Sequence, residues 1–175
     1  MNVDLIANIV GVIALSVGVW ALVRKTNDKI LVIISAAVLL WGVHYFLMGS
    51  VFGGIMHVIA AIGIFTADRM KDMSIRQRTF AAAAFIAINA VTGVVWWSGY
   101  WDYYALMAAP VLIYSQFCLE GTRMRMGFML GESIMFFYAS ALGSAPGMAV
   151  SVISVAAGAV GLVRIFMSDT KKAQT

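Results

Sequence analysis

The chain has 175 residues, 62% of them hydrophobic and 11% charged, with a mean hydropathy of +0.93 and a formal net charge of +4. A soluble domain is about half apolar and about a quarter charged, and one of this length leaves about a third of its unfolded surface in solvent. So much apolar surface needs lipid as its solvent, which excludes a large extramembrane domain and, with it, a nucleic-acid partner for the basic charge.

The first charge-free run, Leu5–Val23, is long enough to cross a hydrocarbon layer of about 30 Å at about 1.5 Å per residue. Arg24 and Lys25 follow it rather than precede it, the reverse of a cleavable signal peptide, so it is expected to stay as a membrane helix. The next run, Ile30–Ala67, has 38 residues without Asp, Glu, Lys or Arg and would reach about 57 Å as one helix, so it must fold back. Gly49-Ser50 and Gly53-Gly54 mark the break and divide it into spans near Ile30–Met48 and Phe52–Thr66. Phe80–Trp97 is the fourth span, Ser98–Tyr104 a short aromatic turn and Tyr103–Leu119 the fifth span. The stretch from Met126 to Val163 is again too long for one crossing. Gly143-Ser144-Ala145-Pro146-Gly147 splits it into spans near Met126–Leu142 and Met148–Met167. In lipid every backbone polar group needs an internal partner, so all seven are predicted as helices.

The basic residues test the count. Seven spans put Arg24, Lys25 and Lys29 in the first loop, Arg69, Lys71, Arg76 and Arg78 in the third, and Arg123 and Arg125 in the fifth. Arg164, Lys171 and Lys172 fall at the last helix end and tail. All 12 then lie on one side, which the positive-inside rule assigns to the cytoplasm, with the N-terminus outside. Trp96, Trp97, Tyr100, Trp101, Tyr103 and Tyr104 cluster at the outer end of span four, where amphipathic rings anchor at the headgroup level. Cys118, the single cysteine, excludes an internal disulfide.

Sliding the chain against itself by 94 positions lays Gly49-Ser50 on Gly143-Ser144, Gly53 on Gly147, Lys29 on Arg123 and His44 on Tyr138. Spans one to three thus correspond to spans five to seven, with span four as a linker that keeps both halves inserted the same way round. This is a parallel repeat about an axis along the membrane normal. The 3+1+3 layout resembles the SWEET and PQ-loop transporter superfamily. The stretch Trp41-Gly42-Val43-His44-Tyr45-Phe46-Leu47-Met48-Gly49 resembles the His-aromatic-Leu-x-Gly segment of the YgjV-type bacterial inner-membrane proteins. The stretch from Arg125 to Arg164, with Tyr138, Gly143-Ser144 and Gly147, is similar to that family's second half. The superfamily's Pro-Gln pair is missing: Pro110 stands in span five, and Ser16 at the equivalent place in span one. The resemblance implies a fold and an inner-membrane location; the YgjV-type family brings no activity with it.

Ionisable groups inside a bilayer are costly, and each marks a candidate site. Three stand inside spans: His44, His57 and Glu132, the last being the single acid expected to be buried. Glu132 is either a cation-responsive carboxylate beside a solute path or a structural acid bonded by Ser133, Tyr138 or a backbone carbonyl. His44 and His57 flank one glycine turn, and a helix pair joined so tightly leaves little room for a porphyrin. Asn89, Asn8 and Gln116 are the polar residues next expected to face inward, as hydrogen-bonding glue for most of them. The small faces of span seven (Gly147, Ser151, Ser154, Gly158, Gly161) and span three read as packing surfaces. The last span has no lysine for a retinal, and no phosphate loop, metalloprotease pair or nucleophile motif is present, so neither an enzyme nor a metal site or cofactor is expected.

The expected architecture is all-α and polytopic. It comprises a first three-helix bundle at 1–67, a loop and linker helix at 68–97, a second bundle at 98–167 and a cytoplasmic tail at 168–175. The leading function is a small-solute transporter or permease, with His44, His57, Asn89, Gln116, Glu132 and Tyr138 lining a site between the bundles. The alternative is a non-transporting accessory or scaffold subunit. The expected partners are the bilayer and a small solute, with a homo-oligomer or membrane partner left open.

Overall fold

The computed structural model describes residues 3–23 and 30–172, so the basic residues Arg24, Lys25 and Lys29 lie outside the described residues. Among the described residues there are seven helices and no strand. They are α1 (Val3–Val23), α2 (Ile30–Leu47), α3 (Val51–Arg69), α4 (Ile75–Val95), α5 (Asp102–Cys118), α6 (Gly121–Ala141) and α7 (Ala145–Lys172). Four of them, α1, α3, α4 and α7, contain a stretch long and apolar enough to cross a membrane.

Two helices begin well before their apolar spans. Ser74 starts α4 with a capping box: its side chain accepts from Gln77 N, and the Gln77 side chain returns to the Ser74 N–H. Arg76 and Arg78 therefore sit in the first turn of α4, and Arg123 and Arg125 likewise lie within the first two turns of α6, rather than in loops. Arg78 reaches across to Glu120 (2.8 Å) and ties the start of α4 to the residue that precedes α6.

The turns after α2 and α6 are built alike. Gly49 and Gly143 adopt φ of +82° and +70°, which glycine reaches without the Cβ penalty. Gly49 N donates to Phe46 O (3.1 Å) and Ser50 N to Tyr45 O (2.9 Å); Gly143 N donates to Ser140 O (3.1 Å) and Ser144 N to Ala139 O (2.8 Å). Each is the pair of bonds that closes a helix with a left-handed residue. Each turn's serine then caps the helix that follows, accepting from Gly53 N (3.1 Å) at Ser50 and from Gly147 N (3.0 Å) at Ser144.

Packing is sequential within two trios. α2 lies between α1 and α3, and α6 between α5 and α7; the trios meet where α3 touches α5 and α1 touches α7. α4 packs on α3 and α5. The burial pattern is inverted relative to a soluble protein. Phe80 and Val94 on α4 are each 79% exposed, whereas His44, Ser50, Asn89, Asp102, Ser115, Ser144 and Ser151 are buried. Trp96, Trp97, Tyr100 and Tyr103 are exposed in the manner of an anchoring belt, while Tyr104 turns inward and stacks on Phe137.

Replacing Gly143 by Ala forces a Cβ into the left-handed region and is expected to cost about 1–2 kcal/mol, read as a lower thermal unfolding midpoint in detergent. Gly18→Ala is the control. Its new methyl would meet nothing closer than the Ala37 Cβ at 4.0 Å, and the midpoint should hold or rise. Equal losses from both changes would count against the role given to the turn.

Candidate functional site

The two turns face each other across the trios, and their serines reach into the opposite half. His44 Nδ1 donates to Ala7 O (2.7 Å), because a carbonyl can only accept. Its Nε2 is then left to accept from Ser144 Oγ (2.7 Å). Ser144 Oγ also takes the Gly147 N–H, so it donates one bond and accepts one. In the other direction Ser50 Oγ lies 2.6 Å from Tyr138 Oη and donates to Asp102 Oδ1 (3.4 Å), so Tyr138 donates to Ser50. Asp102 Oδ2 accepts from Ser98 N (2.7 Å) and Ser98 Oγ (2.8 Å). Gly53 makes this approach feasible: a Cβ there would collide with Tyr138 Oη. Ser50, His44, Asp102, Tyr138 and Ser144 are all fully buried.

Asp102 corrects the expectation of a single buried acid. It is buried at the start of α5, within the stretch read as an aromatic turn, and its charge is met by three donors. The residue was legible as the one acid among the belt aromatics. Its role was not, because its partners Ser50 and Tyr138 are distant in sequence.

An aromatic layer adjoins these bonds. The Tyr45 ring lies 4.8 Å from that of His57, 5.0 Å from His44 and 5.0 Å from Tyr138, and Trp41 meets His44 edge-on at 5.3 Å. Beyond this layer lies a cavity of about 270 Å³, lined from all six helices of the two trios. Trp41, Tyr45, His57, Gln116, Glu132 and Ser151 supply its polar and aromatic lining; Ala14, Gly18, Leu112 and Met135 supply apolar walls. A wider, open depression of about 1030 Å³ surrounds the α3–α4 connection between Met70 and Ala83, and holds none of the candidate residues.

Three of the six candidates share the cavity. Glu132 stands at the middle of α6 and accepts from Ser151 Oγ (3.2 Å) on α7, rather than from Ser133, which bonds Met129 O (2.8 Å). No cation pairs with it among the described residues. His57 Nδ1 donates to Gly53 O (2.8 Å), which fixes the tautomer and leaves Nε2 as an acceptor without a hydrogen-bond partner among the described residues. Gln116 lines the cavity from α5. His44 and Tyr138 lie outside the lining, in the bonds between the halves. Asn89 sits apart on α4, where its Nδ2 donates to Phe85 O (3.0 Å) and its Oδ1 has no partner. Trp41 and Tyr45, absent from the sequence-derived set, line the cavity; as aromatics in an apolar span they carry no signal beyond packing.

A model of the Imp-YgjV family, described as a bacterial inner membrane protein, matches residues 5–169. No curated protein and no solved structure matches the chain.

Ser144→Ala strips a donor from His44 Nε2 and an acceptor from Gly147 N. It is expected to destabilise by about 1–2 kcal/mol, the upper part of the range for hydrogen bonds between membrane helices. Tyr138→Phe leaves Ser50 bonded to Asp102 and Gly53 and should cost less, about 0.5–1 kcal/mol. Thermal or denaturant unfolding in detergent ranks the two; the opposite ranking would show that the bonds are partitioned differently.

Proposed function

The chain belongs to the Imp-YgjV family of bacterial inner membrane proteins, and we propose that it is a small-solute transporter of that membrane. In this reading all seven helices cross the bilayer, with the N-terminus outside and the C-terminus in the cytoplasm. α1–α3 and α5–α7 form two parallel repeats joined by α4, in the manner of SWEET-like transporters. Their solute binds in the cavity between them.

The carrying observation is the cavity itself, bounded by all six repeat helices and holding Glu132, His57 and Gln116 near mid-bundle. Several features support the repeat. The hydrogen bonds of the Gly49 turn recur at the Gly143 turn at an offset of 94 residues. The bond from His44 to Ser144 and the bond from Tyr138 to Ser50 exchange under that same offset. So do the two seams, α3 against α5 and α1 against α7.

Function follows from the order of these parts. The paired bonds and the aromatic layer close the bundle at its turn end. The cavity lining continues the other way, to Ile34 near the start of α2 and Phe128 near the start of α6. Rocking the two trios about the cavity would break two hydrogen bonds at one end, a cost of about 1–3 kcal/mol in total. That range suits a gate crossed on the microsecond-to-millisecond scale of domain motion. The cavity residues are assigned binding and passage rather than catalysis.

Purified protein in proteoliposomes should take up at least one small polar solute from a mixed panel faster than protein-free vesicles do. Glu132→Gln should slow that uptake roughly tenfold, the loss of about 1.4 kcal/mol of interaction. No uptake of any solute, together with constant co-purification of another membrane protein, would replace the transporter with an accessory subunit.

A further inference from the structure

The cavity has an electrostatic sign. Glu132 is the one acidic side chain in its lining, with no Lys or Arg beside it there, and its carboxyl group holds a single donor, Ser151 Oγ at 3.2 Å. A carboxylate removed from water gains most from a cation with N–H donors, and no Lys or Arg joins it here. Two of the remaining polar groups can add acceptors. His57 Nε2 is an acceptor by its tautomer, because Nδ1 is spent on Gly53 O. Gln116 adds an amide with no hydrogen bond to the protein among the described residues.

The walls complete the pattern. Trp41 and Tyr45 line the cavity from α2, one turn apart, and Glu132 lines the same cavity from α6. An acid beside aromatic faces attracts a compact organic cation twice, through the carboxylate and through the ring quadrupoles. Methionine, Phe128 and aliphatic side chains form most of the other walls, with Ser151 and Ser154 on α7, so the body of the solute is largely apolar. A volume of about 270 Å³ holds on the order of ten non-hydrogen atoms.

Resting on the transporter reading, we propose that the solute is a small organic monocation: a protonated amine on a short apolar or aromatic body. Its ammonium bonds Glu132 and His57 Nε2, and its body lies against Trp41 and Tyr45. The acid selects for charge and the aromatic layer for shape, so neutral and anionic isosteres of the same body are rejected.

Three isosteres test this on the full chain in detergent and in proteoliposomes: phenethylamine, 2-phenylethanol and 3-phenylpropionate. Phenethylamine should raise the unfolding midpoint and compete for uptake, the alcohol and the acid much less. Glu132→Gln should weaken amine binding by about tenfold or more while leaving the weak binding of the alcohol unchanged. Trp41→Leu should weaken amine binding several-fold with Glu132 intact, and the ligand-free midpoints show that both variants are folded. Equal binding of the alcohol or the acid, or full amine binding by Glu132→Gln, would overturn the cation assignment while leaving a transporter of another solute. No binding or uptake of any solute, in this panel or the mixed one, would overturn both.

Discussion

Everything in this bundle hangs on two buried serines. Ser50 and Ser144 each end a left-handed turn, cap the next helix with Oγ and hand the same oxygen to a residue of the opposite half. A hydroxyl has one proton and two lone pairs; Ser50 uses all three, and Ser144 uses its proton and one lone pair. Apolar helices in lipid gain nothing from a hydrophobic effect between them, so their association rests on close packing and on bonds of this kind. Each serine's backbone N–H helps to stop α2 or α6, and its Oγ fixes where α3 or α7 starts and how the two trios register.

That arrangement concentrates polarity at one end and leaves the middle free. His44, Tyr138 and Asp102 are satisfied by protein groups around the serines. Glu132, His57 and Gln116, deeper in the bundle, are not saturated and share a cavity. Satisfied polar groups rigidify; unsaturated ones await a ligand. The division separates the bonded turn end from the proposed binding site within one family of inward-facing residues, and in the proposed transport cycle the first would hold and the second would bind.

The helical architecture was legible in the sequence because lipid imposes simple rules. Long charge-free runs must fold back, and Gly-Ser pairs show where; the structure turns at Gly49 and Gly143. The starts of α4 and α6 were less legible. Arg76, Arg78, Arg123 and Arg125 mark where apolar surface ends, whereas a helix continues as long as its caps and backbone bonds allow. At the site, composition pointed to Glu132 and His57 as costly residues with a use, and both line the cavity. It gave no way to tell them from His44 or Asn89, because a bond to Ser144 or to Phe85 O depends on helix rotation and on neighbours far along the chain. Asp102 was hidden for the same reason: among exposed tryptophans and tyrosines, an acid reads as solvated.

The central claim is that the serine-centred bonds hold the two trios together at the turn end. Spin labels at Phe46→Cys and Ser140→Cys, both exposed and on opposite halves, report that separation in a chain with Cys118 replaced by Ala. With the bonds intact, the distance distribution should show one dominant short population. Combining Ser144→Ala with Tyr138→Phe should transfer a substantial fraction to a longer distance while the protein stays folded. An unchanged distribution would contradict the account, because the halves would then be held by packing alone.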